Sequence, residues 1–204
     1  MIQGSEEWLE YKRGKITSSG VIDILKGTRG NYLASRDKYI MLKVAERLID
    51  FQSHNIQSKS MRDGTGNEPI ARFAYEARTG ESVEQIGFID HPTIKNFGCS
   101  PDGLVNQDGG VEIKCMDTVN HLSRVYEGAA NIDRAHIVQM NTCMLCTGRA
   151  WWDYVLFDPN LPDNIGLVYY RFYPDKALQE EISKEVVICN IQIEAIVKKL
   201  KELA

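Results

Sequence analysis

The sequence predicts an α/β (α+β) fold, a central mixed β-sheet flanked by helices, built as one domain over residues 1–204. Three observations predict it. Apolar residues recur at helical spacing towards both ends of the chain, while short β-leaning runs broken by Pro and Gly fill the middle. A chain of 204 residues with 43% hydrophobic content is enough for a single core. No internal repeat, low-complexity tract or long linker divides it.

The elements follow in order. Ser5 is an N-cap candidate for a short helix ending near Gly14, and Thr17 for a second helix carrying Val21, Ile22, Ile24 and Leu25. Residues 35–49 form a third helix with Tyr39, Leu42, Val44, Ala45 and Leu48 apolar. A fourth, over 68–78, is expected to bury Ile70, Phe73, Ala74 and Ala77. Residues 83–90, 97–105 and 110–116 read as strands and turns. A helix over 133–147 comes next, then strands over 150–157 and 166–172. The last element, 175–203, is a long helix with Leu178, Ile182, Val186, Cys189, Ile193, Ile196 and Leu200 on one side.

Composition removes some function classes. No run approaches the ~18 apolar residues of a membrane span, and the segment MIQGSEEWLE is acidic where a secretion signal is basic then apolar. Five cysteines without framework spacing suit reduced thiols in a cytoplasm. The formal charge of −4 argues against a protein that coats nucleic acid without selection. It leaves room for an enzyme on DNA, whose acidic site holds metal and whose basic contacts are local.

The informative stretch runs from Ser100-Pro101-Asp102-Gly103 through an Asn/Asp/Gly-rich turn to Val111-Glu112-Ile113-Lys114. Paired as an antiparallel hairpin, it puts Glu112 and Lys114 on one strand face and Val111, Ile113 and Cys115 on the other. A register with Leu104 opposite Glu112 sets Asp102 opposite Lys114, on the same face. Two convergent carboxylates are unfavourable unless a cation or proton intervenes. Magnesium resolves the repulsion, keeps waters for substrate, and neutralises charge growing on a phosphodiester. The backbone carbonyl of Ile113 is a further hard ligand, and Lys114 positions or deprotonates the attacking water. The alternative is an ordinary strand pair with Glu112 and Lys114 as a solvated ion pair.

Two flanking features bear on the choice. Glu68, in Gly64-Thr65-Gly66-Asn67-Glu68-Pro69, starts a helix and either joins the metal site or closes a capping box with Thr65. Near the start of the chain, Lys12, Arg13 and Lys15 precede Thr17-Ser18-Ser19. Hydroxyls, cations and free N–H groups there make a phosphate pocket, or Thr17 merely caps a helix beside solvated cations.

Trp8, Lys12-Arg13-Gly14-Lys15-Ile16-Thr17-Ser18-Ser19, Gly64-x(3)-Glu68, Ser100-Pro101-Asp102-Gly103 and Glu112-Ile113-Lys114 together resemble the phage lambda exonuclease and YqaJ-like viral recombinase family, within the PD-(D/E)xK nucleases. The matches keep the family's order over roughly residues 5–158. The resemblance implies a PD-(D/E)xK nuclease core and a processive exonuclease that degrades one strand of linear duplex DNA 5′→3′. The 3′ single strand left behind passes to a single-strand annealing protein for recombination. It further implies a toroidal homotrimer, phage or prophage encoded, acting in a bacterial cytoplasm. Asp102, Glu112, the Ile113 carbonyl and Glu68 would hold two Mg²⁺ ions per site, with Mn²⁺ substituting, and Lys114 would be the catalytic lysine. Ser19, Thr17 and a basic residue at Lys12 or Arg13 would hold the 5′ phosphate. Lysine replaces the family's arginine at position 12, which trades a bidentate fork for a point charge. The later Gln139-Met140-Asn141 replaces Gln-x-Gln, so either amide is a supporting contact or a half-buried helix residue.

Other expectations are structural. Trp151, Trp152 and Tyr154 read as core strand residues, and Cys143-x-x-Cys146 as buried thiols without a partner pair. His54, His91, His121 and His136 lack ligand spacing and read as surface or supporting residues. A PD-(D/E)xK endonuclease and a non-catalytic DNA-end-binding subunit are the competing functions.

Overall fold

From Val111 to Cys115 apolar and charged side chains alternate, and the seven-residue strand that holds them, Gly109 to Cys115, is the axis of the molecule. The computed structural model describes residues 1–27, 29–48 and 59–203, with the side chains of 59–65 left out. In chain order the elements are α1 (Glu6–Lys12), β1 (Ile16–Thr17), a 3₁₀ turn (Ser18–Gly20), α2 (Val21–Ile24), α3 (Ser35–Leu48) and α4 (Lys59–Thr79). Then come β2 (Val83–Glu84), β3 (Ile89–Asp90), β4 (Phe97–Cys99), β5 (Gly103–Val105), β6 (Gly109–Cys115) and α5 (Thr118–Glu127). A second 3₁₀ turn (Ala129–Asn131) leads to α6 (Arg134–Thr147), β7 (Trp151–Phe157), α7 (Asp163–Gly166), β8 (Leu167–Phe172) and α8 (Lys176–Lys201).

The strands form a five-stranded mixed sheet in the order β2-β5-β6-β7-β8, and a three-stranded one in the order β1-β4-β3. In the larger sheet β6 and β7 are parallel and the other pairs antiparallel. The runs 83–90 and 97–105, expected as strands and turns, each divide between the two sheets. Ser100-Pro101-Asp102 is the break in the second run, because Pro101 has no N–H for a ladder.

Alternation along β6 and β7 separates two cores. Trp152, Tyr154 and Leu156 face a cluster with Ile16, Ile24, Val44, Val138, Met140, Ile182 and Val186. Val111, Ile113, Val155 and Phe157 face a smaller one with Ala71 and Tyr75 of α4. Gly110 makes the first packing possible, since a Cβ there would stand 2.4 Å from the Trp152 ring. Trp152 and Tyr154 are therefore core residues, as the sequence predicts, while Trp151 is half-buried beneath the Arg171 guanidinium.

Several expectations are corrected. Thr17 belongs to β1 and makes no side-chain cap bond, and the helix it was expected to open is a 3₁₀ turn followed by one α-turn. Residue 49, the expected end of the third helix, lies outside the described residues. Helix α4 begins at Lys59, so Glu68 stands well inside it and closes no capping box. Its buried face is Ala71 and Tyr75, whereas Ile70 and Phe73 are 53% and 73% exposed; Ala77 is exposed too. Helix α5 was not expected. His121 on it is fully buried, with Nε2 within 2.7 Å of the Ile165 carbonyl, and so is no surface residue. His54 lies outside the described residues. Cys99, Cys143 and Cys146 are buried free thiols.

Candidate active site

The β5–β6 register pairs Gly103 with Val111 and Leu104 with Gly110. One step outward, Asp102 stands opposite Glu112. The sequence expectation, with Asp102 opposite Lys114, is displaced by two residues, and an even displacement keeps every side chain on its face. Asp102 and Glu112 thus converge where the ladder between β5 and β6 ends.

Asp102 Oδ2 accepts the Ile113 backbone N–H at 2.7 Å. A residue in a strand points its N–H and C=O towards the same neighbour, so the Ile113 carbonyl also lies on the Asp102 side. Glu112 is buried, with two donors on its two oxygens. Lys114 Nζ is 2.6 Å from Oε1, and Gln139 Nε2 of α6 donates to Oε2 at 2.9 Å.

Glu68 reaches this group from α4, with Arg72 donating to its Oε1 at 2.9 Å. Arg72 stands one helical turn on, at the i,i+4 spacing that pairs charges on a helix face. Glu68, Arg72 and Asp102 line one cleft of about 390 Å³ together with Gln3 and Trp8.

The electrostatics are those of too many carboxylates. Burial, then the Glu112 charge, pushes the Asp102 carboxyl well above its ordinary value, with Glu68 adding to the effect. Glu68 is raised as well, by burial first, against the opposing influence of Arg72. Burial alone would lower Lys114, but Glu112 and Asp102 overcome it and hold the ammonium protonated above its ordinary range. Behind Lys114, Tyr154 Oη and His136 Nδ1 lie 2.8 Å apart. Burial lifts the tyrosine to about 12, and burial with nearby Lys114 lowers the histidine to about 4.

Three carboxylates face two cations that are already engaged, and the chemistry of this oxygen-rich set suits a hard divalent ion. Among the described residues no three His, Cys, Asp or Glu side chains stand together in metal-holding geometry. The fit therefore rests on Asp102, Glu112 and the Ile113 carbonyl, with Glu68 in the surrounding field.

The remaining predicted residues divide. The Lys12 ammonium sits over the Trp8 ring, 3.3 Å from its centroid; burial, then Lys43, lowers it to about 8. Arg13 pairs with Glu10, and Lys15 pairs with Asp90 at 2.8 Å. Ser19 is exposed and Thr17 half-buried. Gln139 is at the site and Asn141 is not. Two residues along a helix reverse direction, and Asn141 instead accepts the Asp175 N–H at 2.8 Å, tying α6 to α8. Arg72 and Gln3 were missed. Its spacing from Glu68 was the available signal for Arg72; Gln3 had none.

Known proteins resemble this chain over most of its length. Residues 7–150 match the model of the YqaJ-like viral recombinase domain. An alkaline exonuclease (LHK-Exo) from Laribacter hongkongensis is 40% identical, covering 97% of this chain and 97% of its own, with a TM-score of 0.89. The same enzyme in complex with dAMP superposes with a TM-score of 0.88, at 40% identity and 97% coverage of both chains. A phage related exonuclease from Haemophilus somnus 129PT shares the fold, with a TM-score of 0.74, 14% identity, and 94% and 99% of the two chains covered. No curated protein matches.

Proposed function

The chain belongs to the YqaJ-like viral recombinase family, and we propose that it is an exonuclease that degrades one strand of linear duplex DNA from the 5′ end. The observation that carries the reading is the meeting of Asp102 and Glu112 at the end of the β5–β6 ladder, with Lys114 paired to Glu112. A relative similar over nearly its whole length is an alkaline exonuclease, and its complex holds dAMP, a deoxynucleoside monophosphate. The same product class is proposed here.

Asp102, Glu112 and the Ile113 carbonyl, with Glu68, are proposed to hold two Mg²⁺ ions, for which Mn²⁺ substitutes. Bound there, magnesium supplies charge neutralisation on the phosphodiester and activation of water. Gln139 fixes one Glu112 oxygen and Ile113 fixes one Asp102 oxygen, so neither carboxylate is free to rotate away. Lys114, held protonated, meets the scissile phosphate as a cation that stabilises the pentavalent charge.

Lys12, together with Ser19, Thr17 and Arg13, is the proposed seat of the terminal 5′ phosphate. Phosphate and backbone contacts carry no base information, so little sequence preference is expected. A homotrimer enclosing the DNA fits the formal charge of −4, because basic side chains need line only its channel. We place the enzyme in the cytoplasm of a bacterial host, encoded by a phage or prophage, handing its 3′ strand to an annealing protein. Among the described residues no helix is long and apolar enough to cross a membrane.

Digestion of a linear duplex bearing a 5′ phosphate, with Mg²⁺ and separate labels at the two ends, tests the reading. Mononucleotide release from the 5′-labelled end is the expected result. Release from the 3′ end only, or cutting of closed circular DNA, contradicts it.

A further inference from the structure

Trp8 touches two parts of this machinery at once. The face of its ring carries the Lys12 ammonium, a contact stronger with Trp than with other aromatic side chains. The indole N–H is shared between the Gly87 carbonyl at 2.9 Å and Ser100 Oγ at 3.0 Å. Ser100 opens the Ser100-Pro101-Asp102 turn that aims Asp102.

The same turn has a second hold from the segment before α1. Gln3 Nε2 donates to the Pro101 carbonyl at 2.6 Å and to the Ile86 carbonyl at 3.0 Å. From the opposite side, the Ile113 N–H binds Asp102 itself. Asp102 is thus set by β6 on one side and by Gln3 and Trp8 on the other. Trp8 and Lys12 are i,i+4 neighbours on α1, so their relative position is fixed by the helix.

We propose that Trp8 is a positioning residue that couples the grip of Lys12 on a terminal 5′ phosphate to the placement of Asp102. A 5′ phosphate then raises the rate of bond breaking as well as the affinity for the DNA end. The physical route is short. A phosphate that fixes the Lys12 ammonium fixes the ring beneath it, the indole N–H carries that constraint to Ser100, and Ser100 carries it to Asp102. Binding energy from a group remote from the scissile bond is thereby expressed as orientation at the reacting centre. The inference rests on the assignment of the 5′ phosphate to Lys12 made above.

Cleavage rates against DNA concentration, on duplexes with 5′-phosphate or 5′-hydroxyl ends, test it for the intact protein and for K12M, W8F and S100A. The unaltered protein is expected to show a phosphate advantage in both saturating rate and half-saturating concentration. W8F keeps a ring for Lys12 and removes the N–H. It should keep the affinity advantage and lose about fivefold of the rate advantage, the size one net hydrogen bond supplies. S100A leaves Trp8 and the core untouched and should behave in the same way, which guards against a folding defect in W8F. Either variant slowing both ends equally, with the rate advantage intact, overturns the coupling. If instead K12M still prefers phosphate, or the unaltered protein ignores it, the Lys12 assignment fails and the inference falls with it.

Discussion

Asp102 accepts the backbone N–H of Ile113 at 2.7 Å, and so a residue from the end of one strand is oriented by the main chain of the next. The carboxylate is held in place while burial and the Glu112 charge disfavour its ionised form. A carboxyl raised in the folded state costs stability as pH climbs past its ordinary value, in full above the raised one, because the unfolded chain ionises more easily. Asp102→Asn keeps an oxygen for the Ile113 N–H and removes the charge. In chelator it should therefore melt higher than the unaltered protein, at about 2–4 °C per kcal/mol gained. Added Mg²⁺ should stabilise the unaltered protein and leave the variant unmoved. Equal stabilisation of both would place the ion elsewhere.

Lys114 is the site's own cation, paired with Glu112 at 2.6 Å. Lys114→Ala is expected to lower the cleavage rate by roughly 10³-fold, the scale of losing one charge-stabilising group, while DNA affinity changes little. Parallel measurement of cleavage and of binding in Ca²⁺ separates the two. Equal losses would make Lys114 a binding residue.

Gln139 acts through Glu112, donating to its Oε2 at 2.9 Å. Supporting contacts of this kind are typically worth about 10–100-fold in metal affinity or activity. Gln139→Ala should raise the Mg²⁺ concentration for half-maximal cleavage within that range. Asn141→Ala, which removes a bond to the α8 terminus, should lower the melting temperature and leave the Mg²⁺ dependence alone.

The Lys12 ammonium, lowered to about 8 by burial and by Lys43 against the pull of Glu46, gives the phosphate preference a pH dependence. The lysine is charged below that value and loses its charge as pH rises through it. The ratio of kcat/KM for 5′-phosphate over 5′-hydroxyl ends, which reports the free enzyme, should fall between about pH 7 and about pH 9. A ratio constant across that range would remove Lys12 from the phosphate contact.

Much of this was legible in the sequence where local chemistry decides. Asn, Asp and Gly mark the turn between β5 and β6, and period-two alternation puts Asp102, Glu112 and Lys114 on one face. The register was missed by a pair because composition does not fix turn length; Asn106, with φ at 45°, closes the turn earlier than expected. Helix α5 escaped because its apolar residues Val119 and Tyr126 are 77% and 94% exposed while His121 is buried. On α4 the buried side is Ala71 and Tyr75, which pack with Val111, Ile113 and Val155 of the sheet, and Asp153 accepts the tyrosine hydroxyl at 2.6 Å. Periodicity carries neither fact. The Lys43–Glu46 pair, which receives the Gly14 N–H beside the proposed phosphate seat, is likewise a product of tertiary packing.

The most direct measurement is anomalous scattering from crystals of the protein grown with Mn²⁺. Manganese bonded to carboxylate oxygens of both Asp102 and Glu112 and to the Ile113 carbonyl is the expected result. Manganese bound away from this group, or two carboxylates turned from each other with no ion between them, would contradict the account.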